Sequence, residues 1–83
     1  MATIRTEKRQ INKELSAIYE LVLEDGDYSI SCLEENRFGE CTDFCCVHDV
    51  SQDEKFANAI YEKIVKNNVC ACTLFDVIND LIC

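Results

Sequence analysis

Apolar residues recur along the first third of the chain at Ile4, Ile11, Leu15, Ile18 and Val22, a spacing that lines one face of a 3.6-residue helix. The pattern predicts a long N-terminal helix over about Thr3 to Glu24, with Gly26 placed to end it. Arg5, Arg9 and Lys13 fall on the far side of that helix as a solvated basic stripe. Leu21 and Leu23 do not fit. They lie off the apolar stripe, so the last turn has to be covered by the rest of the fold or by another chain.

The middle of the chain changes character. Asn36-Arg37-Phe38-Gly39 has asparagine first and glycine fourth, as a type I turn prefers, and predicts an antiparallel β-hairpin. Setting Asn36 opposite Glu40 places Cys32 across from Phe44, Ile30 across from Cys46 and Tyr28 across from His48, all on one face. The other face then carries Ser29, Ser31, Leu33 and Glu35 against Cys41, Asp43, Cys45 and Val47. A slip of one residue would set Cys32 against Cys45 and break the match. A lone hairpin is marginal in water, so it must lie on helices, gain a third strand or pair with another molecule.

Ser51 followed by Glu54 is a capping-box signature that opens a helix over about Gln52 to Asn67, with Phe56, Ala57, Ile60, Tyr61, Ile64 and Val65 as its apolar face. Asn67-Asn68 breaks it. Val69 to Cys72 reads as a short third strand or a bend, and Thr73 with Asp76 caps a last helix, Leu74 to Ile82, that buries Leu74, Phe75, Val77, Ile78, Leu81 and Ile82. The predicted fold is therefore α+β: one small domain spanning 1–83, with a long N-terminal helix, an antiparallel hairpin and then two helices.

Composition supports a folded chain. Its 83 residues hold one core; 48% are hydrophobic, with no proline and two glycines, unlike a disordered segment. No run approaches the ~20 apolar residues of a spanning helix, and the charged start has no apolar leader region. The expectation is a soluble, cytoplasmic protein with no membrane contact. The seven cysteines are odd in number and come without an export signal, so they are read as reduced thiols that mostly fill the core.

Charge is the least uniform feature. Ten of the sixteen carboxylates fall between Leu21 and Glu54, where Arg37 is the only base, while the flanking segments are close to neutral. A pI near 4.4 argues against direct nucleic-acid binding, whose affinity rests on phosphate contacts. A concentrated negative field attracts basic protein surfaces instead.

Candidate chemistry is thin. Cys41, Cys45, Cys46 and His48 lie within eight residues, and Cys70 and Cys72 follow. A regular strand sends Cys46 and His48 to one face and Cys41 and Cys45 to the other, so only Cys46, His48, Cys70 and Cys72 could gather around zinc. No metal or other cofactor is expected. A Cys46–His48 nucleophile pair would sit in the most negative part of the chain, which keeps a thiol protonated. No phosphate-binding glycine loop, two-histidine metal motif or calcium loop is present.

What remains is protein binding through carboxylates around the hairpin: Asp25, Asp27, Glu34, Glu35, Glu40, Asp43, Asp49, Asp53 and Glu54. The sequence is read as a small acidic binding protein or inhibitor without catalytic activity. The expected partner is a basic protein surface, such as that of a nucleic-acid-handling protein on which carboxylates take the places of phosphates. Many phage-encoded inhibitors share this size and charge, an analogy of class with no motif behind it. The alternative is a zinc-stabilised or thiol-redox adaptor, and a homo-oligomer is left open.

Overall fold

Residues 15–23 also carry a second periodicity. Leu15, Ala17, Tyr19, Leu21 and Leu23 alternate with Ser16, Ile18, Glu20 and Val22, the period of two that sends successive side chains to opposite faces of a strand. In the structure, a computed structural model describing residues 2–82, this alternation decides the N-terminal half. The predicted long helix is absent. In its place β1 (Ala2–Asn12) and β2 (Leu15–Glu24) form an antiparallel hairpin, and β3 (Asp27–Asn36) and β4 (Cys41–Ser51) extend it into a meander of order β1-β2-β3-β4. The helices α1 (Glu54–Lys66) and α2 (Leu74–Ile82), joined through a single 3₁₀ turn at Ala71–Thr73, follow the sheet and pack on one of its faces.

The turns explain the correction. Asn12 Oδ1 accepts from the Glu14 N–H at 2.8 Å, and this Asx turn reverses the chain where the helix was expected to continue. Asp25 and Gly26 both take left-handed backbone, φ 52° and 83°, the two-residue hairpin turn whose twist matches paired strands. Gly26 therefore reverses a strand and does not stop a helix. Leu21, unplaced by the helical reading, is fully buried in the core.

Alternation in β1 was hidden because its helix-facing positions are charged. Arg5 donates from Nη1 to Asn58 Oδ1 at 3.3 Å and Glu62 Oε1 at 3.1 Å, donates from Nη2 to Glu7 Oε1 at 2.9 Å, and stacks 4.9 Å from the Tyr61 ring centre. Arg9 donates to Asn68 Oδ1 at 3.2 Å. Two members of the expected basic stripe thus tie β1 to α1 and to the turn that follows it.

The β3–β4 turn forms as expected and the register does not. Asn36 N–H donates to Glu40 O at 2.9 Å, Asn36 Oδ1 accepts from the Phe38 and Glu40 N–H groups, and Gly39 takes φ 81°. A bulge then inserts Thr42: Glu35 pairs with Cys41 but Glu34 pairs with Asp43. Every later pair shifts by one, so Cys32 faces Cys45 and Leu33 faces Phe44. Such a slip exchanges the faces of β4. Cys45, Val47 and Val50 turn toward the helices, whereas Phe44 is 56% exposed on the opposite face. A second irregularity, with Asp49 at φ 55°, pairs Tyr28 with Ser51 and not with His48.

The core lies between the sheet and the helices. Ala57, Ile60, Tyr61, Ile64 and Val65 of α1 are buried against Ala17, Tyr19, Leu21, Ile30 and Cys32, and Leu74 and Ile78 of α2 join them. Phe75 and Ile82, expected inside, are exposed, while Val77 and Leu81 are half-buried. The α1 cap is Asp53, whose carboxylate accepts from the Lys55 N–H at 3.0 Å; Ser51 supports it by accepting from the Asp53 N–H at 2.9 Å. Thr73 does not cap α2, since its hydroxyl turns back to Cys70 O at 3.3 Å. Val69–Cys72 is a bend entering the 3₁₀ turn. Its backbone is satisfied by core side chains: Tyr19 Oη donates to Val69 O at 2.8 Å, and Glu34 Oε2 accepts from the Ala71 N–H at 3.4 Å.

Candidate protein-binding surface

The register sorts the nine predicted carboxylates into three places. Tyr28 pairs with Ser51 and Glu24 with Asp27, so the β2–β3 turn, the end of β4 and the start of α1 share one end of the molecule. Asp25, Asp27, Asp49, Asp53 and Glu54 stand at this end. Glu35, Glu40 and Asp43 stand at the other, beside the β3–β4 turn. Glu34 belongs to neither. It points to the helix side opposite Ala17, is only 8% exposed, and is a structural residue, which corrects its assignment to a partner-binding surface.

At the acidic end Glu24, Asp25, Asp27, Ser29, His48 and Asp49 line an open cleft of about 240 Å³. Tight backbone sets its walls. Asp25 sits in the left-handed turn, Glu24 and Asp27 are its flanking pair, and Asp49 is thrown out by the left-handed bulge of β4. Among the described residues, none of the four carboxylates has a cation within ion-pair distance. Glu24 and Ser29 were missed as site residues, and His48 was weighed only as a metal ligand or catalytic partner. Only Glu24 had a visible signal, since it precedes the Asp-Gly dipeptide that marks a two-residue hairpin turn.

The opposite end is mixed. Lys8, Gln10, Lys13, Ser16, Glu35, Asn36, Arg37 and Gly39 line a second cleft of about 350 Å³. Lys8 pairs with Glu35 at 2.9 Å, and Arg37 pairs with Glu14 at 3.4 Å while stacking on Phe38. Both clefts open on the sheet face that the helices leave uncovered.

The cysteines do not behave as a set. Cys32 is buried, Cys45 and Cys46 are half-buried, and Cys41, Cys70 and Cys72 are exposed; all six are free thiols, and Cys83 lies outside the described residues. Core filling thus describes Cys32, with Cys45 packed half-buried against the same core. Burial, with the nearby Glu34 charge, pushes the Cys32 thiol up to about 12; at the largely exposed Cys70 slight desolvation and the same Glu34 charge act in the same direction. Burial also raises Cys46, the thiol considered as a nucleophile. Protonated thiols are poor nucleophiles and poor metal ligands. Cys46 faces the open side, whereas Cys70 precedes the 3₁₀ turn on the helix side and Cys72 lies within it, so the quartet considered for zinc is divided by the sheet. Among the described residues no three cysteine, histidine or carboxylate side chains are grouped to hold a metal ion.

No helix among the described residues is long and apolar enough to cross a membrane. No protein-family model matches the chain, and neither a curated protein nor a solved structure gives a significant match.

Proposed function

We propose that this protein is a non-catalytic, cytoplasmic binding module that uses its acidic end to hold a basic surface of another protein. The observation that carries this reading is the cleft of Glu24, Asp25, Asp27 and Asp49: four carboxylates on or beside tight turns, none of them within ion-pair distance of a cation among the described residues. Asp53 and Glu54 extend the same field onto the start of α1, although Asp53 is partly engaged as the helix cap. A preformed cluster of one sign speeds encounter with the opposite sign and disfavours like-charged partners. On a nucleic-acid-handling protein it would occupy ground that phosphates otherwise take, which makes inhibition by competition the natural outcome.

The test is capture from the source cell by immobilised protein at low and high salt, beside the variant Glu24→Lys/Asp27→Lys. These two positions avoid the left-handed backbone of Asp25 and Asp49. A partner held by the parent at low salt, released by salt and lost by the variant supports the reading. Equal capture by both proteins would show that the carboxylates are a solubilising coat.

A further inference from the structure

The sheet has two faces and the helices cover one. Across the open face Lys8, Ile18, Leu33 and Phe44 form one continuous row, each paired with the next on the neighbouring strand. Ile18, Leu33, Val22 and Cys46 are half-buried there and Phe44 is 56% exposed. Ser16, Ser29 and Ser31 lie nearly flush among them, each less than a tenth exposed, so the surface is flat. The acidic cleft opens at one end of this face and the second cleft, lined by three cations and one carboxylate, at the other.

We propose that the open face is a self-association surface, on which a second copy of this chain stacks with its strands reversed so that each acidic cleft meets the other copy's second cleft, in whose lining cations outnumber carboxylates. Symmetry leaves little choice. Two identical faces meet about a two-fold axis lying in the interface, and an axis along the strands would set acidic end on acidic end. An axis across the strands exchanges the ends. It brings Glu24, Asp25, Asp27 and Asp49 of one copy toward Lys13 and Arg37 of the other, and lays the two apolar rows side by side. Glu20, the carboxylate in the middle of the face, then comes near the second copy's Lys8.

Size permits this arrangement. The molecule measures 36 × 25 × 16 Å, and its broad side is of the order of the ~800 Å² that each partner gives to a standard interface. Face-to-face stacking of two antiparallel sheets is an established way to cover such a surface. Edge pairing is disfavoured, because register shifts interrupt both edge strands, β1 and β4, and β1 also carries Arg5, Glu7, Lys8 and Arg9. The inference goes beyond the partner reading and does not rest on it. The two share the acidic end, so a basic partner would displace the second copy.

Sedimentation velocity on the pure protein, at low and high salt and up to about 1 mM, where even a weak interface of this size is populated, provides the test. The parent should dimerise at low salt and dissociate as salt rises. Lys13→Glu/Arg37→Glu gives both clefts a net negative charge, and Glu24→Lys/Asp27→Lys, which leaves Asp25 and Asp49 in place, brings the acidic cleft to zero net charge. Each should raise the dimer dissociation constant about 10-fold or more, the first because like charges then face each other and the second because the attraction between the clefts is lost. Mixed one to one, the two variants should form a heterodimer more readily than either associates alone, since the intact acidic cleft of one then faces the intact cation-lined cleft of the other. Circular dichroism confirms that both remain folded. A monomeric parent at every concentration, dimers indifferent to both double substitutions, or a mixture that stays monomeric would each overturn the proposal. Because no other protein is present, failure here leaves the partner reading intact.

Discussion

The two faces of the sheet use the same strands for different ends. On the helix side Leu21, Ile30, Tyr19 and Cys32 are sealed under α1 and α2, and the few polar groups inside are hydrogen-bonded: Tyr19 Oη to Val69 O, Tyr61 Oη to Tyr19 O at 2.9 Å, Glu34 to the Ala71 N–H. On the open side Ile18, Leu33 and Phe44 touch solvent, and charges gather at the ends. Neighbouring residues of one strand therefore differ in what a substitution reports. One face reports stability, the other recognition.

The sharpest way to break that contrast is to truncate one leucine on each face. Leu21→Ala should cost about 2–5 kcal/mol, the range for a large-to-small change in a packed core, and in so small a domain that can unfold the protein. Leu33→Ala should cost less than ~1 kcal/mol. Urea unfolding of both variants, with the parent slope retained, checks the pair. Equal losses would mean that the open face is packed like a core.

Adjacent glutamates make the same comparison in charge. Glu34→Lys should destabilise by roughly 3–5 kcal/mol, because an unpaired ammonium replaces a carboxylate that accepts from the Ala71 N–H. Glu35→Lys loses only an ion pair whose lysine is 59% exposed, so thermal unfolding should show a change below ~1 kcal/mol.

Raising the pH probes the inner face most strongly. The Cys32 thiol is held up to about 12 by burial from an ordinary value of 9.0, and the Tyr61 hydroxyl up to about 12 by burial and the Glu7 charge. Both groups must stay neutral in the fold, whereas the unfolded chain releases their protons earlier. Stability is thus complete below about pH 9 and falls as the pH climbs toward 12, with about 1–2 kcal/mol lost by pH 10 through Cys32. Replacing Cys32 with alanine should flatten the early part of that decline. A parent curve flat from pH 8 to 11 would contradict the placement of both groups.

The asymmetry also explains what the sequence made legible. The helices α1 and α2 were readable because their apolar residues face a single neighbour, the sheet, and the 3.6 period survives intact. The first two strands were not. Five of their apolar residues happen to fit helical spacing, while β1 spends its helix-facing positions on Arg5, Glu7 and Arg9, whose value appears only once α1 is beside them. The clearest opposing signal was Asp25-Gly26, a two-residue hairpin turn read as a helix stop. In β3–β4 the turn was legible from Asn36 and Gly39, but Thr42, one extra residue, exchanged the faces of β4, and no periodicity announces a bulge. The acidic end followed from composition. Its cleft did not, since joining Asp25 and Asp27 to Asp49 requires the register of β3 on β4.

The smallest expected change in stability falls where the largest change in recognition is expected. Glu24 is exposed and Asp27 half-buried at the rim of the acidic cleft, and neither makes an ion pair or a side-chain hydrogen bond among the described residues. Reversing both to lysine removes like-charge repulsion from Asp25 and Asp49, so each substitution should alter stability by no more than ~0.5 kcal/mol, with a sign set by that relief. Association with a basic protein should nevertheless slow sharply, because charges at a rim act on encounter more than on dissociation. Stopped-flow association rates at two ionic strengths, measured beside thermal unfolding of the same variant, separate the effects. A variant that melts several degrees lower would place these carboxylates in the fold. One that melts unchanged and associates as fast as the parent would remove the acidic end from recognition and leave the open sheet face as the surface to pursue.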